Sequence, residues 1–431
     1  MSYSREHSRQ EDRSLTGREN MQTGIVKLPS YFKGIGEIEK QLDRTNIQIL
    51  TAMWKYGPRN LLEVSRRTGL PFTSVYHRVA KLEAKSGRIV YLLPEVSKLG
   101  LVRSVVLVAS RPGLEDAVKS ALAIPKFWRV INRCEGTFTY LSSYAVPVEK
   151  LNDFKEYIQT IEDIGLITQF KLILTGDSVP TFPNFEYYDP ELMEWAFPWG
   201  DWLTQIRDSQ PEAGVRDPER YTNLGDQKDI VIIDQLEDDG RRRLSDLGKH
   251  SLMNCSPQVV KYHWDQCLAP ARLFECMAFD VYPFPAEVCS YHEVMVEFPN
   301  TLAMNKFYTV ARDELFFVLT IEKVLESNAL MVLTYVSNSQ LSNMFTFFSE
   351  LVSNGVISSF SAVRLDMSGR DTQSIPSRLF NDEKGWDIDF RKCTAELVTL
   401  TSQSTVTSRL KNRGTLWSSN LNFGRYGYDE K

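Results

Sequence analysis

Apolar residues between positions 43 and 93 recur at helical spacing in three short runs, separated by Gly and Pro. Ile47, Leu50 and Trp54 form the stripe of a first helix that Asp43 is placed to cap, and Gly57-Pro58 breaks it. Leu61, Leu62 and Val64 give a second, short helix that ends before Gly69-Leu70-Pro71. Val75, Val79 and Leu82 fall on one face of a third helix, from Thr73 to about Lys85. Its opposite face carries Ser74, Tyr76, His77, Arg78 and Lys81, side chains able to reach base edges and phosphates from a major groove. Arg88 to Leu93 then reads as a strand, which completes the layout of a winged helix-turn-helix.

Past residue 99 the period of the pattern changes. Alternating strands are expected at Arg103 to Ala109, Phe127 to Arg133, Thr137 to Tyr144 and Leu166 to Leu174, with helices from Gly113 to Ala123 and from Pro147 to Gly165. The order β-α-β-β-α-β predicts an antiparallel sheet with both helices on one face, a ferredoxin-like α+β domain. Residues 179–202 hold eight aromatic side chains punctuated by four prolines. Five acids between Glu186 and Asp201 disfavour a platform for nucleic-acid bases, so this stretch is expected to be a packing arm over a sheet or a neighbouring subunit.

From about Leu224 the plan starts again. Ile230, Ile233 and Gly240 lie 183 residues after Ile47, Leu50 and Gly57, and Gly355 to Phe360 matches Gly165 to Phe170 at a shift of 190. The expected organisation is a polar tail at 1–40, a first winged helix-turn-helix at 41–98, a sheet domain at 99–178 and an arm at 179–223. A degenerate second head at 224–285, a second sheet domain at 286–393 and a flexible tail at 394–431 would follow.

Charge separates the two copies. Between Lys55 and Arg103 ten Lys or Arg face three Glu, although the whole chain carries a formal charge of −5. The equivalent part of the second copy, Asp226 to Glu275, has seven cations and nine anions. A local cationic surface on an acidic chain suits phosphate contact. The expected DNA-binding residues are therefore Arg59, Arg66, Arg67, Thr73, Ser74, Tyr76, His77, Arg78, Lys81, Lys85 and Arg88, with double-stranded DNA as partner.

Chemistry is sparse. Six cysteines lie far apart with no CxxC pair, no export segment is apparent at the N-terminus, and no apolar run approaches a membrane helix, so a cytoplasmic protein is expected. No phosphate-loop, dinucleotide, zinc-protease or nucleophile-elbow motif is present. Cys255, His263, Cys267 and Cys276 miss the usual short ligand spacings, and Cys267 stands where the first copy has core Leu82, so no metal, cofactor or catalytic residue is assigned.

Asp43-x3-Ile47-x2-Leu50, Gly69-Leu70, Ser74-Val75-x2-Arg78-Val79-x2-Leu82-Glu83, Gly87-Arg88-Ile89 and Leu99-Gly100-Leu101 resemble the Lrp/AsnC transcription regulators. The resemblance implies a winged helix-turn-helix joined to an ACT-like (RAM) sensor domain, sequence-specific DNA binding, homodimers formed through the sheet domains, and small-molecule effectors bound where those domains meet. It implies no enzymatic activity. Two copies in one chain suggest an internal pseudo-dimer. An alternative is the siroheme decarboxylases, which join two such units without DNA binding. Their His-Asn-Tyr-x-Arg-like signature has no match here, the equivalent stretch being Asn132 to Thr139. A non-DNA interaction scaffold is the third reading.

Overall fold

The structure is a computed structural model that describes residues 42–86, 90–181, 184–191, 194–211, 214–279 and 288–402. The first head is built from α1 (Arg44–Tyr56), α2 (Leu61–Thr68) and α3 (Phe72–Ser86). Asp43 accepts the Asn46 backbone N–H at 2.7 Å and so caps α1 as its sequence predicts. The core of this head is Ile49, Leu50, Met53, Val64, Val75 and Val79, all at most 1% exposed. The buried stripe of α1 is thus rotated from the expected one: Ile47 and Trp54 sit at its edges.

After β1 (Val90–Pro94) come β2 (Leu101–Ser110), α4 (Glu115–Ala123), β3 (Trp128–Glu135), β4 (Tyr140–Pro147), α5 (Leu151–Asp163) and β5 (Ile167–Pro180). An arm ending in α6 (Trp199–Asp208) leads to the second head, α7 (Gln227–Asp238), α8 (Leu244–Leu247) and α9 (Pro257–Tyr262). The helix continues from α9 as a widened π-type stretch, His263–Leu268. β6 (Phe274–Phe279), β7 (Cys289–Glu297), α10 (Thr301–Asp313), β8 (Val318–Val324), β9 (Ala329–Ser337), α11 (Leu341–Ser353), β10 (Ser359–Thr372) and α12 (Phe390–Ser402) complete the chain.

The fold class is the duplicated α+β plan that the pattern predicts, but the copies are joined more intimately than as two modules in series. Their sheets close into one antiparallel barrel in the order β8-β9-β7-β10-β3-β4-β2-β5. The closing pairs cross between copies, β5 with β8 and β10 with β3. Closure inside one chain leaves these sheets no open edge and supplies internally the sheet-to-sheet contact that the family resemblance assigns to a dimer. The heads are joined as well. The strand β1 pairs with β6 of the other head, Val90 opposite Phe279, rather than folding into a wing of its own.

Each arm also crosses to the opposite copy. Trp195 lies 4.1 Å from Phe316 and Trp199 5.1 Å from Phe317, centroid to centroid, and Trp202 is fully buried beside them. Reciprocally, Trp386 packs on Phe127 at 5.5 Å and donates its indole N–H to the Leu99 carbonyl at 2.7 Å. The expectation of a flexible tail at 394–431 is corrected for residues 394–402, whereas residues 403–431, like the polar tail expected at 1–40, lie outside the described residues. Phe390 stacks near Phe154 at 5.8 Å and Leu397 is fully buried, because α12 covers α4 and α5 as α6 covers α10 and α11. Among the described residues no helix is long and apolar enough to cross a membrane.

Candidate functional site in the barrel

Strand alternation decides what the barrel encloses. On β2, Val106 and Val108 face the helices while Arg103, Val105 and Leu107 point inward. The same rule turns Asn132 of β3, Glu293 of β7 and Glu322 of β8 toward the interior. On β10 the register slips between Asp366, opposite Arg133, and Asp371, opposite Ile131. The extra residues form a bulge that carries Arg370 into the same space, a common way for a strand to re-aim a side chain.

The result is a cavity of about 440 Å³ at one end of the barrel, within the usual range for small-molecule sites. Val105, Leu141, Leu333 and Leu365 supply apolar wall. Its mouth is framed by Tyr91 to Pro94 of β1, the C-terminal end of α7 at Glu237 and Asp238, and Gln373 and Ser374. Both copies and both heads therefore build it.

Three arginines reach the cavity from different strands. Arg103 pairs with Glu322 at 2.8 Å, and Glu322 also accepts from the Thr175 hydroxyl at 2.7 Å. Arg129 pairs with Glu237, which also accepts the Ile375 backbone N–H at 2.7 Å. These pairs leave capacity unused. Arg103 Nε, Arg129 Nη1, Arg370 Nε, Asn132 Oδ1 and Ser143 Oγ are buried without a hydrogen-bond partner among the described residues. Buried polar atoms are nearly always satisfied, so these orphans mark a ligand's place: the three guanidinium N–H groups and the Ser143 hydroxyl can donate to a ligand's oxygens, and Asn132 Oδ1 accepts from a donor on it.

Glu293 is the chemically distinctive group. Burial, reinforced by the nearby Glu322 carboxylate, pushes its carboxyl up to about 8 against the opposing pull of Arg370 and Arg103. It stays a neutral acid, able to donate a proton, at a pH where an ordinary glutamate is ionised. Burial raises Glu237 as well, with Arg129 acting in the other direction. His292, next to Glu293 on β7, faces the helices instead, 5.3 Å from the Phe345 ring, and burial followed by repulsion from Arg364 holds it down near 4.

The residues expected to bind DNA are not gathered into one free cationic surface. Arg59 is turned into the junction between heads, donating to the carbonyls of Gly240 at 3.2 Å and Arg242 at 3.0 Å and covering the Trp264 ring. Arg66 and Arg67 both pair with Glu63. Arg78 turns back onto α1, donating to Asp43 at 2.7 Å and Asn46 at 2.9 Å. Thr73, Ser74, Tyr76, His77 and Lys81 remain exposed on α3, while the Lys85 side chain and Arg88 lie outside the described residues.

No family model matches the chain, and no curated protein matches it. Two solved structures match over most of it. The siroheme decarboxylase NirDL covers 82% of this chain and 97% of its own at 9% identity, TM-score 0.46. NirDL in co-complex with an iron-uroporphyrin III analogue covers 86% and 99% at 10% identity, TM-score 0.45. LrpC of B. subtilis is similar over only 31% of this chain and 93% of its own, at 21% identity and TM-score 0.27. At these identities the likeness concerns the fold.

The expectation of a DNA-binding regulator is corrected on the chain's own geometry. Arg59 is turned into the junction between the heads, Arg78 onto the cap of α1, and Arg66 and Arg67 onto Glu63, so four of the arginines counted toward phosphate contact are engaged within the protein. The expectation of no enzyme, made with no site assigned, is corrected in that the barrel encloses a cavity lined by unpartnered buried polar groups. Sequence reading missed Arg103, Arg129, Glu237, Glu293, Glu322 and Arg370. A signal existed: Arg103, Glu293 and Glu322 are charges set inside apolar, alternating strands at positions that the alternation turns inward.

Proposed function

We propose that the chain is an enzyme that binds a polycarboxylate of the tetrapyrrole class in the barrel cavity and removes carboxyl groups from it as CO2. The observation that carries this reading is the convergence of three arginines with unused N–H groups on a space that also contains a carboxyl retaining its proton to about pH 8. Guanidinium groups bind carboxylates with charge-assisted hydrogen bonds, and three of them at separate points suit several acidic arms on one apolar body. The apolar wall between them suits the face of such a body.

Non-oxidative decarboxylation needs two things from a protein. The reacting carboxylate must be held where its charge is not itself stabilised, and the carbanion left by C–C cleavage must receive a proton. Arg103, Arg129 and Arg370 anchor the acidic arms that do not react. An arm placed against Glu293 meets a neutral acid beside the Glu322 carboxylate, and so gains no ion pair. When its C–C bond breaks, CO2 departs, the electron pair passes into the conjugated ring, and the Glu293 proton is transferred to the methylene carbon, leaving a methyl group. Solvent restores the proton to Glu293, so each cycle consumes one proton and releases one CO2.

Asn132 fits the same reading. It opens the stretch Asn132 to Thr139 that replaces the histidine-containing signature of the siroheme decarboxylases, and its Oδ1 faces the cavity unpartnered. With no histidine lining the cavity among the described residues, the acid role passes to Glu293. Titration of the purified chain with siroheme, followed by mass analysis of the pigment, tests the proposal: binding with loss of CO2 supports it, and absence of binding removes it.

A further inference from the structure

The second head carries a cluster that the barrel chemistry does not use. Asp229 of α7, His263 and Cys267 bring a carboxylate oxygen, a ring nitrogen and a thiol sulfur within 4.8 Å of one another. His263 Nδ1 lies 2.8 Å from Asp229 Oδ1 and 3.7 Å from Asp226 Oδ1. Asp229 and His263 are buried, whereas Asp226 stands at the rim.

The first head is an internal control for this cluster. Asp226 and Asp229 lie 183 residues after Asp43 and Asn46, and His263 and Cys267 lie 185 residues after Arg78 and Leu82. In the first head these four positions hold an arginine bonded to Asp43 and Asn46, with Leu82 in the apolar core. In the second, the aspartate is kept and each of the other three positions has changed to a metal-ligating type: Asn46 to Asp, Arg78 to His, Leu82 to Cys. Exchange of one polar cluster for another accounts for the histidine and the second aspartate. It does not account for a thiol in place of a core leucine, directed at the same point.

The backbone changes there too. The run Phe72–Ser86 of the first head is regular α-helix, whereas His263–Leu268 widens into a π-type turn. Single π turns inside helices are frequent at functional sites. This one contains both His263 and Cys267.

We infer that Asp226, Asp229, His263 and Cys267 form a binding site for one zinc ion in the second head. Zinc accepts sulfur, nitrogen and oxygen donors together and is usually four-coordinate, so this mixed, half-buried set suits it. The cation replaces the hydrogen bond between His263 and Asp229, compensates the facing carboxylates, and takes Cys267 as thiolate. Along α7, Asp229 and Glu237 are eight residues apart, about 12 Å of helix rise, so the ion stands away from the barrel cavity. The inference does not rest on the decarboxylase reading.

The test uses the full chain, exposed to excess zinc and then freed of unbound metal by gel filtration. The wild type is expected to retain one zinc per chain. The double variant His263→Arg and Cys267→Leu, which restores the residues of the first head, is expected to fold and to retain background zinc only. Cobalt(II) gives a second readout: a thiolate-to-cobalt charge-transfer band in the wild type that is lost in Cys267→Ser, a near-isosteric change that keeps the head folded even should the double variant fail. Zinc at background in the wild type, or zinc and the cobalt band unchanged in the variants, overturns the inference.

Discussion

Arg103 of β2 and Glu322 of β8 meet at 2.8 Å inside the barrel, each with a side chain only about one-seventh exposed, although they come from opposite copies of the repeat. The pair ties the two copies together and leaves Arg103 Nε turned to the cavity without a partner. Replacing Arg103 with Met strands a buried carboxylate that keeps only the Thr175 hydroxyl. The expected cost is about 3 kcal/mol of stability, read by denaturant unfolding, with a loss of at least roughly tenfold in affinity for iron-uroporphyrin III.

Glu293 sets the expected pH dependence. Its pKa in the folded chain is raised to about 8 from an ordinary value of 4.5, so the folded state holds a proton that the unfolded state has given up over that interval. Stability therefore falls as pH rises from about 4.5 to about 8 and this contribution levels off beyond, because the unfolded chain binds fewer protons throughout the window. Glu293→Gln keeps the neutral shape and should flatten that slope, gaining on the order of a few kcal/mol over the wild type above pH 8. In the wild type, decarboxylation should fall as pH passes 8, and in the variant it should be slowed strongly at every pH while ligand binding persists.

Gly240 and Gly57 occupy matching places in the two heads for different reasons. A Cβ on Gly240 would meet the backbone N and Cα of Tyr91 at 2.9 Å, at the mouth of the cavity. Gly57 has open space around it and is demanded by its φ of +93°. Gly57→Ala is expected to cost about 1 kcal/mol and leave ligand binding unchanged. Gly240→Ala should cost about 1–3 kcal/mol and also weaken binding, since it displaces β1. Unfolding curves and a binding titration on the same two variants separate the effects.

The crossed arms predict that each half is stabilised by the other's aromatics. Trp202→Ala removes a fully buried side chain from the core of the second sheet domain and should cost about 3–5 kcal/mol. Trp386→Ala should cost a similar amount although it lies in the second copy, because its ring and indole N–H serve Phe127 and Leu99 of the first. Hydrogen exchange in the Trp386 variant should rise at β2 and β3 rather than near residue 386 alone.

Local pattern carried the fold a long way. Asp43 caps the first helix, the two periods mark heads and sheets, and the 183-residue shift discloses the duplication, because these features depend on neighbours in sequence. What stayed hidden depends on how the copies meet. Inward-facing charges such as Glu293 acquire meaning only when a second sheet closes over them, and Arg78 reads as a phosphate contact until Asp43 and Asn46 are seen beside it. The second arm was legible in principle: Trp386 and Phe390 follow Trp195 and Trp199 by 191 residues, a match masked by the loss of most other aromatics around them.

Incubating the purified full chain with siroheme and following pigment mass over time, for the wild type and Glu293→Gln side by side, tests the central claim most directly. The account predicts stepwise loss of CO2 in the wild type, with the variant binding the pigment yet turning it over far more slowly. Siroheme recovered intact from the wild type, or lost CO2 at an equal rate in the variant, would contradict it.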